Sequence, residues 1–206
     1  MTIGVITGDI VNSIVAPPED WLGKIKYVFK RNKIPRDQWE IFRGDMFQVE
    51  VPVEDILQLA LELKATIKQN KNLDVRMSLG IGEKVYEGNP ITESNGEAYI
   101  LSGRGFEKLK KGKLKIESPW HRFNLKWEVI IELSLLTMDN WHPVTARIFA
   151  TSIQYKDQKK IANLLGKSQS SISEGLKRAG KKEMNKMLVY FKNDIAKQME
   201  GNGNFN

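Results

Sequence analysis

The chain predicts an α+β fold followed by a smaller all-α domain, and three observations predict it. Over residues 3–81, apolar patterning runs in the order strand, helix, hairpin, helix, strand. Beyond residue 140, only helical spacing recurs. Charge divides the chain at the same place: residues 142–206 hold 12 Lys and Arg against 5 Asp and Glu, a surplus equal to the net charge of +7 for the whole. Residues 1–141 are therefore neutral, with 20 side chains of each sign.

Each element has its own reason. Residues 3–10 (IGVITGDI) form a nearly continuous run rich in β-branched side chains, the pattern of a strand buried on both faces. After Pro17-Pro18, residues 19–31 space Trp21, Ile25, Val28 and Phe29 helically, with acids first and bases last, as the helix dipole favours. Residues 39–42 and 46–51 read as two strands joined by Arg43-Gly44-Asp45, a hairpin turn. Residues 53–68 put Ile56, Leu57, Leu59, Ala60, Leu63 and Ile67 on one broad apolar face, and residues 73–81 alternate Val75, Met77, Leu79 and Ile81. This order is the ferredoxin-like (βαββαβ) pattern, an antiparallel sheet with two helices on one face. A Gly- and Asn-rich loop at 87–96 then leads to a helix at 97–110 and a strand at 114–117. The lysines of 108–115 read as a solvated edge and residues 125–136 as a buried helix. The division is 1–140 for the α+β domain and 141–200 for the helical one, with a disordered tail at 201–206.

Composition narrows the chemistry. With 41% hydrophobic residues the chain can bury a core. There is no cysteine, so disulfides, thiolate metal sites and a cysteine nucleophile are excluded, and His121 and His142 alone make zinc a poor expectation. No apolar run approaches the ~20 residues of a bilayer span, and residues 1–10 carry no basic leader. The expectation is a soluble, cytoplasmic protein with no membrane partner.

Two carboxylates carry the N-terminal chemistry. Asp9 stands at the end of the first strand and Asp45 in the hairpin that this topology pairs beside it, so both are expected at one sheet edge. Adjacent carboxylates repel, and a hard divalent cation such as Mg²⁺ relieves the repulsion while sharing nucleotide phosphates. Gly44 would let phosphate approach the backbone. The residues also allow a plainer reading, in which Asp9 caps a turn and Gly44-Asp45 is turn chemistry only.

Those residues resemble a family. Gly8-Asp9-Ile10-Val11 is similar to the first metal-binding strand of class III nucleotidyl cyclases. Arg43-Gly44-Asp45-Met46-Phe47 resembles their Gly-Asp hairpin and that of the GGDEF diguanylate cyclases, and residues 75–82 (VRMSLGIG) resemble the strand after it. Residues 95–104 (NGEAYILSGR) are similar to the cyclase helix that bears a transition-state asparagine and arginine. The resemblance implies a nucleotidyl-cyclase-like domain in which Asp9, Asp45 and the backbone carbonyl of Ile10 hold Mg²⁺, while Arg43, Gly44 and Arg104 meet a nucleotide. The chain departs from the family at Ile100, where cyclases place the asparagine, at Met46, where diguanylate cyclases have glutamate, and near Ile41, where the adenine-reading lysine falls. Each departure removes a polar role. The resemblance therefore implies nucleotide binding ahead of rapid cyclisation.

The basic C-terminal third carries a second signal. Ile161, Leu164 and Leu165 mark one short helix, Gly166 stops it, and Ser168 is a natural N-cap for the next, whose inward positions are Ile172 and Leu176. Residues 161–173 (IANLLGKSQSSIS) resemble the helix-turn-helix of bacterial regulators. Such a unit presents the start of its second helix to the major groove, which assigns Gln169, Ser170 and Ser173 to base edges and Lys167, Lys177, Arg178, Lys181 and Lys182 to phosphates, with the N-cap Ser168 within the same DNA-binding surface. A helical hairpin packing between subunits is the alternative. A cyclase-like domain joined to such a tail is most similar to the SatD-like family. The expectation is a DNA-binding transcriptional regulator, working as a homodimer, whose N-terminal domain senses a nucleotide with Mg²⁺. A phosphoryl-transfer enzyme or nucleotidyl cyclase using Asp9 and Asp45 is the rival, and an inactive interaction module the third reading.

Overall fold

The computed structural model describes residues 1–109 and 113–201 and has a mixed α/β architecture. The elements are β1 (Thr2–Val11), α1 (Leu22–Arg31), β2 (Trp39–Phe42), β3 (Met46–Pro52), α2 (Ile56–Ile67), β4 (Asp74–Tyr86), β5 (Asn95–Gly96), α3 (Glu97–Lys108) and β6 (Leu114–Glu117). Five further helices follow: α4 (His121–Met138), α5 (Pro143–Gln154), α6 (Gln158–Leu165), α7 (Gln169–Arg178) and α8 (Lys181–Gly201). Gly201 closes α8; the rest of the tail expected to be disordered, like Lys110 and Lys111, lies outside the described residues.

The sheet runs β2-β3-β1-β4-β5, with β6 on the other path from β4. All pairs are antiparallel except β4 with β6. As its apolar run requires, β1 is central: Ile6 pairs with Val49 on one side and Leu79 on the other. Its two faces meet different partners. Ile6 and Ile10 join Phe47, Val49, Val75, Met77 and Leu79 in the main core, against α1 and α2. On the opposite face, Ile3 and Val5 pack with Ile91, Ala98 and Tyr99 under α3.

The helix α3 sits directly on the strands because small residues line both sides of the contact. A Cβ at Gly80 would fall on the Ala98 carbonyl and the Ser102 amide, and one at Gly105 on the Ser78 hydroxyl. The Thr7 and Ser102 hydroxyls hydrogen-bond across this seam at 3.0 Å.

Two readings of the sequence are corrected. Residues 53–68 were expected to bury one face, yet α2 is buried all round, Glu62 and Lys64 included. The reason is layering: the sheet covers one side, while α5 and α8 cover the other. Packing thus runs across residue 140, and the main core takes in Trp127 and Ile131 of α4, Phe149 of α5 and Phe191 of α8. The helix expected to be buried at 125–136 is instead half exposed, since Leu125, Val129, Leu133 and Leu136 form an outward stripe. Among the described residues no helix is long and apolar enough to cross a membrane.

Candidate functional site

Register places the first group of charges. On β1, Asp9 follows Val5 and Thr7 on the α3 face, opposite Met46 of β3 and Arg76 of β4. Side chains directly opposite in antiparallel strands share a face. Arg76 duly grips Asp9 with both arms: its Nε donates to Oδ1 at 2.9 Å and its Nη2 donates to Oδ2. This fork is held above the ordinary arginine value, first by the hydrogen bond to Asp9, against burial, with the charges of Asp9 and Asp45 adding to it. The Phe106 ring lies 5.6 Å from the guanidinium carbon.

Asp45 reaches the same place from the hairpin. Its carboxylate accepts from Ser13 Oγ at 2.5 Å, and its carbonyl accepts from the Ile10 amide at 3.3 Å. Asp9, Ile10, Ser13, Asp45, Arg76 and Lys113 line one open hollow of about 630 Å³. On its rim, Ile14 is 98% exposed and Val15 65%.

Other expected residues lie elsewhere. Arg43 and Gly44 have positive φ, 49° and 87°, as a tight turn demands, and both are exposed in a separate depression with Trp39 and Phe42. Arg104 and Ile100 are exposed on α3, away from the hollow. The arginine of the hollow is Arg76, which the sequence reading passed over. The signal was present: Arg76 falls between Val75 and Met77 in the alternation, hence on the opposite face, which is that of Asp9.

For Mg²⁺, the available donors are Asp9, Asp45 and backbone oxygen, and among the described residues no three His, Cys, Asp or Glu side chains gather as ligands. The lining carries two charges of each sign, Asp9 and Asp45 with Arg76 and Lys113, so the hollow is charge-balanced. A bare cation would have to displace Arg76 and strand it; a cation arriving with phosphate would bring Arg76 a new anion. The residues therefore fit a metal–nucleotide better than a metal alone.

Lys113 was expected on a solvated edge; it belongs instead to an ion network beneath the hollow. Its Nζ lies 2.8 Å from Asp74 and 3.4 Å from Asp139. Lys64, fully buried, lies 3.0 Å from Asp74 and 2.8 Å from Asp139. Lys68 adds a contact of 3.4 Å to Asp74 and donates to the Asp139 carbonyl at 2.9 Å. Burial pushes the Asp74 carboxyl up, but Lys64, Lys113, Lys68 and the Val75 amide outweigh it and hold the group below the usual carboxylate value. The network joins α2, β4, the approach to β6 and the turn between α4 and α5.

The basic tail supplies the second group. Asp157 caps α6 by accepting from the Lys159 amide at 2.9 Å, Gly166 ends that helix at φ 61°, and Ser168 caps α7 by accepting from the Ser171 amide at 3.2 Å. Ile148 of α5, Ile161, Ala162 and Ile172 form a small core of their own, with Leu165 and Leu176 packed against it. At Gly175 the helices nearly touch, since a Cβ there would lie 2.5 Å from Ile148 Cδ1. With Ile172 and Gly175 turned inward, Lys167, Ser168, Gln169, Ser170, Ser173, Lys177 and Arg178 are all exposed. Lys182 is exposed as well.

Lys181 departs from this group. It lies in a cleft between α2 and helices α5 to α8, its ammonium 4.7 Å from the Phe149 ring centre. Burial alone pulls it down to about 8. No protein-family model matches the chain, and no curated protein matches it.

Proposed function

We propose that the chain is a DNA-binding transcriptional regulator whose N-terminal domain senses a nucleotide together with Mg²⁺. The observation that carries the reading is the outward face of α7. Gln169, Ser170 and Ser173 stand exposed at its capped start and Lys177 and Arg178 at its end. Exposed basic side chains that, among the described residues, meet no carboxylate suit phosphates, and a glutamine at a helix start can read adenine bidentately. Two short helices meeting at a glycine turn over a small core support the helix-turn-helix reading. The strand order β2-β3-β1-β4, with α1 and α2 on one face, supports the ferredoxin-like and cyclase-like reading of the first part. A homodimer would give such a unit two half-sites.

For the nucleotide, the support is the charge-balanced hollow with exposed Ile14 and Val15 on its rim. Phosphate would meet Arg76, and a base would cover apolar surface. DNA binding is tested by fluorescence anisotropy on random duplex DNA across a salt series. Steep salt dependence that weakens in Lys177→Ala/Arg178→Ala is expected; a flat response in both proteins would end the regulator reading. Nucleotide sensing is tested by thermal shift with each nucleoside triphosphate and Mg²⁺, where a ligand bound only by the folded chain raises Tm.

The rival enzyme reading is favoured by one observation, the meeting of Asp9 and Asp45 in one hollow. Incubation with nucleoside triphosphates and Mn²⁺ supports it only if a product forms that Asp45→Ala cannot make.

A further inference from the structure

The cleft that holds Lys181 has about 370 Å³ of space, within the range of small-molecule pockets. Its walls come from several elements. Gln58 enters from α2, Ile153 from α5, Ile161 from α6, Leu176 from α7, and Asn185 and Leu188 from α8. Ile153, Ile161, Leu176 and Leu188 supply apolar lining, interrupted by the Ser152 hydroxyl of α5 and the Gln158 amide of α6. Its titratable members are Tyr155, Lys156 and Lys181; Lys160 stacks on the outer Tyr155 ring at 4.4 Å, and the Arg31 guanidinium feels the Tyr155 oxygen. Among these lining residues there is no carboxylate.

Lys181 therefore stands desolvated without an anion. Ion pairs, by contrast, hold Lys64, Lys68 and Lys113. A cation taken from water and given only a ring face is poorly compensated. An anion entering the cleft would supply what the protein does not.

We infer that this cleft binds a small amphipathic monoanion, an apolar body bearing one carboxylate, with Lys181 as its counter-ion and Leu176, Ile161 and Leu188 against its body. The amides of Gln58 and Asn185 can donate to the same carboxylate. Since one wall belongs to α2 and another to α7, the ligand would bridge the sheet layer and the outward helix. The binding itself does not rest on the DNA reading, so it stands or falls separately.

Isothermal titration of the full chain with sodium octanoate is the test, with 1-octanol and octylammonium as neutral and cationic controls. Octanoate is expected to bind at least tenfold more tightly than either control. Because burial pulls Lys181 down to about 8, binding should draw protons from buffer at pH 8, read by repeating the titration in buffers of different ionisation enthalpy. Lys181→Met fills a similar volume with an apolar chain and should fold. It is expected to lose at least tenfold in octanoate affinity and all of the proton uptake, while Lys30→Ala, at an exposed position of α1, changes neither. Octanol binding as tightly as octanoate, an unchanged Lys181→Met, or no heat with octanoate at millimolar concentration would each overturn the proposal.

Discussion

The hollow around Asp9 and the outward face of α7 are both rich in charge, but they dispose of it in opposite ways. In the hollow every charge already has a partner: Arg76 is on Asp9, Ser13 on Asp45, and Lys113 on Asp74 and Asp139. On α7 and its approach, Lys167, Lys177 and Arg178 project into water. Paired charge holds a structure and must be traded to admit a ligand; unpaired charge is available at once. The first arrangement suits a sensor and the second a docking surface.

The contrast predicts effects of graded size. Asp74→Ala should do most, because it strips Lys64, fully buried, of one of its two carboxylates. A loss of about 3–5 kcal/mol in stability by denaturant unfolding is expected. The pH dependence has a defined sign: the folded value of Asp74 lies below its unfolded one, so its contribution is present above about pH 4 and disappears as pH falls through the folded value. The milder Asp74→Asn should flatten that acid limb. A variant with unchanged stability would mean that the network is not closed as described.

Lys177→Ala/Arg178→Ala should leave stability within about 0.5 kcal/mol, as exposed substitutions do. Its duplex affinity should drop roughly tenfold to a hundredfold near 0.1 M salt, with the log–log salt slope shallower by about 2. Equal binding by mutant and parent would place the nucleic-acid surface elsewhere.

Ser168→Ala removes an N-cap and should cost about 1 kcal/mol, seen as faster amide exchange in α7 than in α2. Asp9→Asn should cost less, because Arg76 keeps an oxygen to donate to and is partly solvated. It should nonetheless abolish any Tm rise given by nucleotide with Mg²⁺. A preserved rise would exclude Asp9 from the sensing site.

Much of this was legible in the residues. The β1 run, the Arg43-Gly44-Asp45 turn and the Gly166 stop each follow from local rules, and the register that unites Asp9 with Asp45 follows from element order. What escaped was set by layers that no local pattern encodes. A polar residue such as Lys64 reads as solvent-facing until a second layer of helices is known to cover it. Lys181, adjacent in sequence to the exposed Lys182, was expected beside DNA because sequence proximity says nothing of which side of a helix start meets a cleft. Leu125, Val129, Leu133 and Leu136 misled in the opposite sense: apolar content alone implied burial. Arg76 was recoverable, since period-two alternation assigns it to the face of Asp9.

The seam under α3 bears on how such a chain tolerates drift. Where Gly80 meets the Ala98 carbonyl and the Ser102 amide, the backbones leave room for a hydrogen and nothing more, whereas Gly105 meets the movable side chains of Ser78 and Glu117. In a library of random substitutions, codon 80 should return almost only glycine among folded clones, codon 105 glycine with some small residues, and codons 14 and 173 nearly any residue.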